Sequence, residues 1–198
     1  VWGQEAPGRS SRYSNLGYVV LATAMEAAAR LPFESLMQRW LFETIAFTGR
    51  FLPSSLQPEQ RDNLSVLYRR PTGSARWQPQ FDQNAFVPAP PLPPPGENAS
   101  VYAPHGGLRA SVPDLARLAR VFMQQGRWEG RRVLSGDSLA TMLNPHWMAG
   151  GPEAGEAVAG LFRGWGLGVQ IFRDQSEGRS GDRLHPAGLH HPARHGIT

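Results

Sequence analysis

The stretch "VPAPPLPPPGENAS", residues 87–100, puts six prolines into the eight positions from 88 to 95. Proline has no amide hydrogen and a locked φ, so this run fits neither a helix interior nor a central strand. It must be extended or polyproline-like. We read it as a surface excursion or linker rather than as a ligand for an SH3-type groove. Regular structure therefore has to form on either side of it.

Upstream, "NLGYVVLATAMEAAAR" predicts a helix from Asn15 to Arg30, with Leu16, Val19, Val20 and Ala24 along one stripe. Pro32 breaks it. A second helix is expected from Pro32 or Phe33 to Thr44, with Phe33, Leu36, Met37, Trp40 and Leu41 at helical spacing. "QPEQRDNLSVLYRR" allows a short third helix.

Downstream, "SVPDLARLARVFMQQG" carries an N-cap at Ser111, Pro113 in the first turn and Asp114 closing a capping box. Leu115, Leu118, Ala119, Phe122 and Met123 form the expected apolar stripe, and Gly126 ends the helix. "GRWEGRRVLS" reads as a turn with a short extended piece, and "SGDSLATMLNP" as a helix capped by Ser135 and stopped before Pro145. In "GWGLGVQIF", Trp165, Leu167, Val169 and Ile171 alternate as in one strand, whose glycines permit close backbone approach. The expected class is α/β (α+β), mainly helical with one or a few late antiparallel strands. Residues 1–110 form a helical part with the proline-rich excursion at 86–96. Residues 111–198 carry a helix, a late strand region and an irregular tail.

Composition excludes several chemistries. With 198 residues and no cysteine, the chain has room for one domain and no disulfide, thiolate nucleophile or cysteine metal site. All 20 basic residues are arginine, scattered singly or in pairs over a net charge of +4, unlike the clustered face of a nucleic-acid binder. No signal peptide is read at the start, and the apolar run near Leu16–Met25 is too short to cross a bilayer. His185, His190, His191 and His195 sit among Gly and Pro, without an H-E-x-x-H pattern, so they suggest adventitious metal binding rather than a dedicated site.

Three blocks, in order, resemble the serine β-lactamase-like, penicillin-binding-protein-like family, the group of class C β-lactamases, D-alanyl-D-alanine carboxypeptidases and esterases. "PGRSSRYSNLGYVVL" resembles its Tyr-x-Asn segment; "GGLRASVPDLARLARVFMQQGRWEGRRVLSGDSLATML" resembles its Gly-Gly turn, long helix and G-R-x-L-S segment; "GWGLGVQIF" resembles its Gly-rich strand. The resemblance covers roughly residues 6–172 and implies a β-lactamase/transpeptidase-like fold. It also implies hydrolysis of an amide or ester (a β-lactam, a D-Ala-D-Ala peptide or a small ester) through an acyl-serine, with no cofactor and no metal. By it, Tyr13 is the acid/base phenol and Asn15 the orienting amide. Gly106 and Gly107 line the substrate side, and His195 (or His185) stands where a His-x-Gly or Lys-Thr-Gly box falls. The family is often exported, which implies a periplasmic or extracellular place.

One requirement of that chemistry is not met. The family's nucleophile lies in Ser-x-x-Lys, and these residues contain no lysine. Arginine does not replace it as a base, because its guanidinium does not deprotonate. Gly136-Asp137-Ser138 lacks the second glycine of a G-x-S-x-G elbow. The expectation is a partial chain, inactive alone, that lacks an N-terminal part of the same fold and acts on a small-molecule or peptidoglycan-like substrate. The alternatives are a non-catalytic binding module of the same family and the product of a decayed gene.

Overall fold

The computed structural model describes residues 6, 10–80, 91–150, 154–155, 164–174 and 181–186. These fall into two units, one within Leu16–Val121 and one formed from Val1–Asn15 and Phe122–His190. The elements are helices and small, mainly antiparallel sheets, a mixed α/β chain. No described helix is long and apolar enough to cross a membrane.

In the first unit, α1 (Asn15–Ala29) leads into α2 (Phe33–Met37), which runs on as a π-helical turn, Gln38–Phe42. The extra residue of a π turn shifts the helical register by one. Hence Phe42 is buried and Trp40, expected on the inner stripe, is 55% exposed. After α3 (Pro58–Asp62) come β2 (Leu67–Arg69) and β3 (Gln78–Gln80), an antiparallel pair. Residues 91–94 of the proline-rich excursion have no regular structure, as expected, and turn into the 3₁₀ helix Ala99–Tyr102. The core is aromatic: Phe33 meets Phe51 edge-on at 4.9 Å, and Phe42 stacks on Phe47 at 4.3 Å.

Helix α4 (Val112–Met123) begins at the expected capping box: Asp114 N donates to Ser111 Oγ at 3.2 Å, and Ser111 N to Asp114 Oδ2 at 3.3 Å. Its rotation differs from expectation. Asp114 and Val121 are buried, Leu118 is half-buried, and Met123 is 81% exposed. Helix α1 also departs from its expected face. Its buried residues are Ala22 and Glu26, while Leu16 and Val20 of the expected stripe are exposed. A helix apolar on every side has no unique apolar stripe, so a polar anchor fixes its rotation. Glu26 is that anchor: it accepts from Phe33 N at 2.7 Å and from Gly96 N at 3.2 Å.

In the second unit, Gln125 (φ 53°) and Gly126 (φ 80°) turn the chain out of the long helix at the expected glycine. The hairpin β4 (Arg127–Trp128) and β5 (Arg131–Arg132) follows, then α5 (Gly136–Leu143). Strands β6 (Trp147–Met148), β8 (Gly164–Trp165), β9 (Val169–Asp174) and β10 (Gly181–Pro186) form a four-stranded sheet in the order β10-β9-β8-β6. Strand β7 (Ala154–Gly155) instead pairs in parallel with β1 (Ser10–Ser11). The single strand expected over "GWGLGVQIF" is therefore a hairpin, with Trp165 opposite Gln170 and Leu167 exposed in the turn. Gly168 supplies φ +74°, and a Cβ on Gly166 would strike the Met142 carbonyl oxygen. Val169, Gln170 and Ile171 are all buried, so β9 is covered on both faces rather than alternating.

Candidate active site

Strand β1 and the link Arg12–Tyr13–Ser14 deliver Tyr13 two residues before the first residue of α1, which is Asn15. The Tyr13 hydroxyl donates to Asn15 Oδ1 at 2.9 Å. Tyr13 is half-buried and Asn15 exposed, so the bond faces solvent. A phenol that donates is protonated, and its oxygen still has lone pairs to accept with. The Asn15 amide thereby holds the phenol with its carbonyl oxygen. A phenol and an amide in this contact are groups able to carry a proton and to orient a partner. To act as a base, such a phenol, ordinarily near pKa 10, requires a nearby positive charge.

The Gly106-Gly107 turn belongs to the other unit. Ala103 (φ 45°) ends the 3₁₀ helix, and Gly106 N and Gly107 N both donate to its carbonyl, at 2.9 and 2.6 Å. A Cβ on Gly107 would come within 2.6 Å of Tyr102 O and 2.8 Å of Ala103 Cβ, so the second glycine is a steric requirement of this turn. Arg109 Nη1 holds the turn to the core, donating to Gly107 O at 2.7 Å and Phe51 O at 2.9 Å. Burial lowers the Arg109 pKa from its ordinary value, and the guanidinium still carries its charge at neutral pH.

His195, His190 and His191 lie outside the described residues; His185 is in β10, opposite Gln170 of β9. Ser138 is a helix-cap residue: its N donates to Ser135 Oγ at 3.0 Å, and Ser135 Oγ donates to its hydroxyl at 2.7 Å. That is the geometry of the first turn of α5, not of a nucleophile elbow. Of the sequence-derived residues, the structure thus brings Tyr13 and Asn15 into contact.

What the sequence reading missed are two buried carboxylates and the reach of a third. Glu34 accepts from Phe51 N (2.8 Å), Leu52 N (3.1 Å) and Ser55 Oγ (2.7 Å). Glu26 ties α1 to residues 33 and 96. Asp114, known from sequence only as a cap, also accepts from Thr48 N at 3.1 Å and Thr48 Oγ1 at 3.0 Å, and pairs with Arg117 at 2.9 Å. Burial pushes the Asp114 pKa up, but the hydrogen bonds from Thr48 and Ser111 outweigh it, and the net shift is below 3.8. The only local signal was an acid set among apolar helix formers, as in "ATAMEAAA".

A cleft of about 310 Å³ opens over this network, lined by Thr48, Glu59, Gln60, Arg109, Ser111 and Asp114 among others. Its most buried charge, Asp114, is saturated by the bonds just described, so the cleft has no poised acid or base there. Among the described residues no group of three His, Asp or Glu is placed to hold a metal ion.

In comparison with known families, a family model described as Beta-lactamase matches residues 2–197. Comparison with curated proteins finds no match.

Proposed function

The chain belongs to the beta-lactamase family, and from that premise we propose that it supplies the acid/base and orienting groups of an acyl-serine hydrolase. Family membership supports serine hydrolase activity in general terms. The observation that carries the finer reading is the Tyr13–Asn15 hydrogen bond of 2.9 Å at the head of α1. In this reading a serine from a Ser-x-x-Lys segment outside these 198 residues attacks the substrate carbonyl. Its proton passes to a base, the C–N or C–O bond breaks, and Tyr13 delivers a proton to the leaving atom. Water then releases the acyl group. Asn15 orients the lysine and the substrate amide, and the described residues form part of a β-lactamase/transpeptidase-like fold. Substrates are β-lactams, D-Ala-D-Ala peptides or small esters.

The lack of any lysine favours a second reading, a non-catalytic binding module of the same family. One experiment separates the two. The natural gene product and the 198-residue chain are each incubated with fluorescent penicillin, a chromogenic cephalosporin and a p-nitrophenyl ester. The first reading expects covalent labelling or turnover by the natural product only. It also expects Tyr13→Phe to lower kcat/KM by about a hundredfold or more, the range of general acid–base catalysis. Tyr13-dependent turnover by the 198 residues alone would defeat it. A natural product that binds without acylation or turnover supports the second reading.

A further inference from the structure

The hairpin β2–β3 carries an apolar surface of its own. Val66, Leu67, Tyr68 and Trp77 are 45, 38, 55 and 49% exposed. Tyr68 faces Pro79 across the pair, and Val66 and Trp77 stand two positions before each, so strand alternation assigns all four to one side. Leu67 points to the opposite side. The turn is tight: Ser74 N donates to Pro71 O at 3.0 Å, Arg76 N to Ser74 Oγ at 3.1 Å, and Gly73 has φ +81°. No third strand joins the pair among the described residues. A two-stranded hairpin without a covered face gains little from burial in water.

Charge says what covers it. Arg69, Arg70 and Arg76 are all exposed, and no acidic residue occurs between Asp62 and Asp82. None of the three arginines is in an ion pair among the described residues. The three arginines share one hairpin with two aromatics and two aliphatics. A polyanion such as nucleic acid would use the arginines and the rings, but it has nothing to offer Val66 and Leu67. An anionic bilayer surface suits the Tyr68 side: headgroup charge for the arginines, the interfacial belt for Trp77 and Tyr68, and the acyl boundary for Val66.

We propose that the β2–β3 hairpin is a peripheral docking element for an anionic lipid surface, binding without spanning the membrane. The test is co-sedimentation of the 198-residue chain with vesicles of phosphatidylcholine alone and of phosphatidylcholine with phosphatidylglycerol. The chain partitions onto the anionic vesicles and not the neutral ones, and high salt releases it. The combined Arg69→Gln, Arg70→Gln, Arg76→Gln variant loses about a hundredfold in partition at low salt, at about a fivefold loss per arginine. Trp77→Ser alone lowers partition several-fold while the far-UV circular dichroism stays unchanged, which keeps the result independent of folding. A control variant, Arg30→Gln, Arg39→Gln, Arg131→Gln, removes the same charge elsewhere and keeps most of the binding. Equal binding to neutral vesicles, no vesicle binding, or an equal loss in the control overturns the proposal. So does capture of a single-stranded oligonucleotide by a chain that ignores vesicles.

Discussion

Glu34 and Tyr13 are both polar groups held by hydrogen bonds beside a helix start, and they are held in opposite ways. Glu34 is buried and accepts three bonds from residues 51, 52 and 55, all distant in sequence. Tyr13 makes its bond to a residue two positions on, at the surface. A buried carboxylate that answers orphan donors is part of the scaffold, because removing it leaves those donors without water or partner. A surface phenol held by a local amide adds little to the fold. Scaffolding and the proposed chemistry thus fall to different polar groups, and the difference is measurable.

The largest effect is expected at Glu34. Glu34→Ala orphans two backbone amides and one hydroxyl, at about 3–5 kcal/mol in all. Glu34→Gln keeps one acceptor oxygen and should lose about half of that. Urea unfolding of the two variants measures both. If the alanine variant falls within about 1 kcal/mol of wild type, Glu34 is not a scaffold group and the contrast with Tyr13 collapses.

Asp114 comes next and brings a pH dependence. Its folded pKa lies below the ordinary 3.8, so the carboxylate stabilises the fold above the unfolded value, and that contribution is lost as pH falls through the folded one. Asp114→Asn should therefore cost about 2 kcal/mol at neutral pH. The gap to wild type should close as the pH falls below about 4. A gap that stays constant from neutral to acid pH would mean that the charge of Asp114 contributes nothing, and that its bonds to Thr48 and Ser111 matter only as shape.

Glu26, Glu34 and Asp114 also explain which parts of the molecule were legible in advance. The extents of α1 and α4, the Ser111–Asp114 box and the Ser135 cap were readable, because caps and helix formers are local signals. The rotations of α1 and α4 were not, since Glu26 and Asp114 turn inward to serve Phe33, Gly96 and Thr48, and no local pattern announces a distant orphan donor. The π turn after Met37 displaced the expected inner face by one residue, and two glycines folded one expected strand into a hairpin. The Tyr13–Asn15 pair was legible through motif and spacing. Its hydrogen bond, between neighbours, needed no tertiary information. The short helix that "QPEQRDNLSVLYRR" allows is Pro58–Asp62, whereas the hairpin of Leu67–Arg69 and Gln78–Gln80 was not anticipated, because its strands are short and pair across the turn at Gly73.

The smallest expected effect is the most informative about the site. Tyr13→Phe removes the exposed hydrogen bond to Asn15 and keeps the ring, so urea unfolding should place it within about 0.5 kcal/mol of wild type. A silent variant leaves the hydroxyl without a structural reason to be there, and its place beside Asn15 then has to be explained by chemistry. A loss of about 2 kcal/mol or more, as for a buried network, would instead make Tyr13 the same kind of group as Glu34. The helix-capping explanation of the Tyr-x-Asn triplet would then suffice, and the acid/base role would have no support from this geometry.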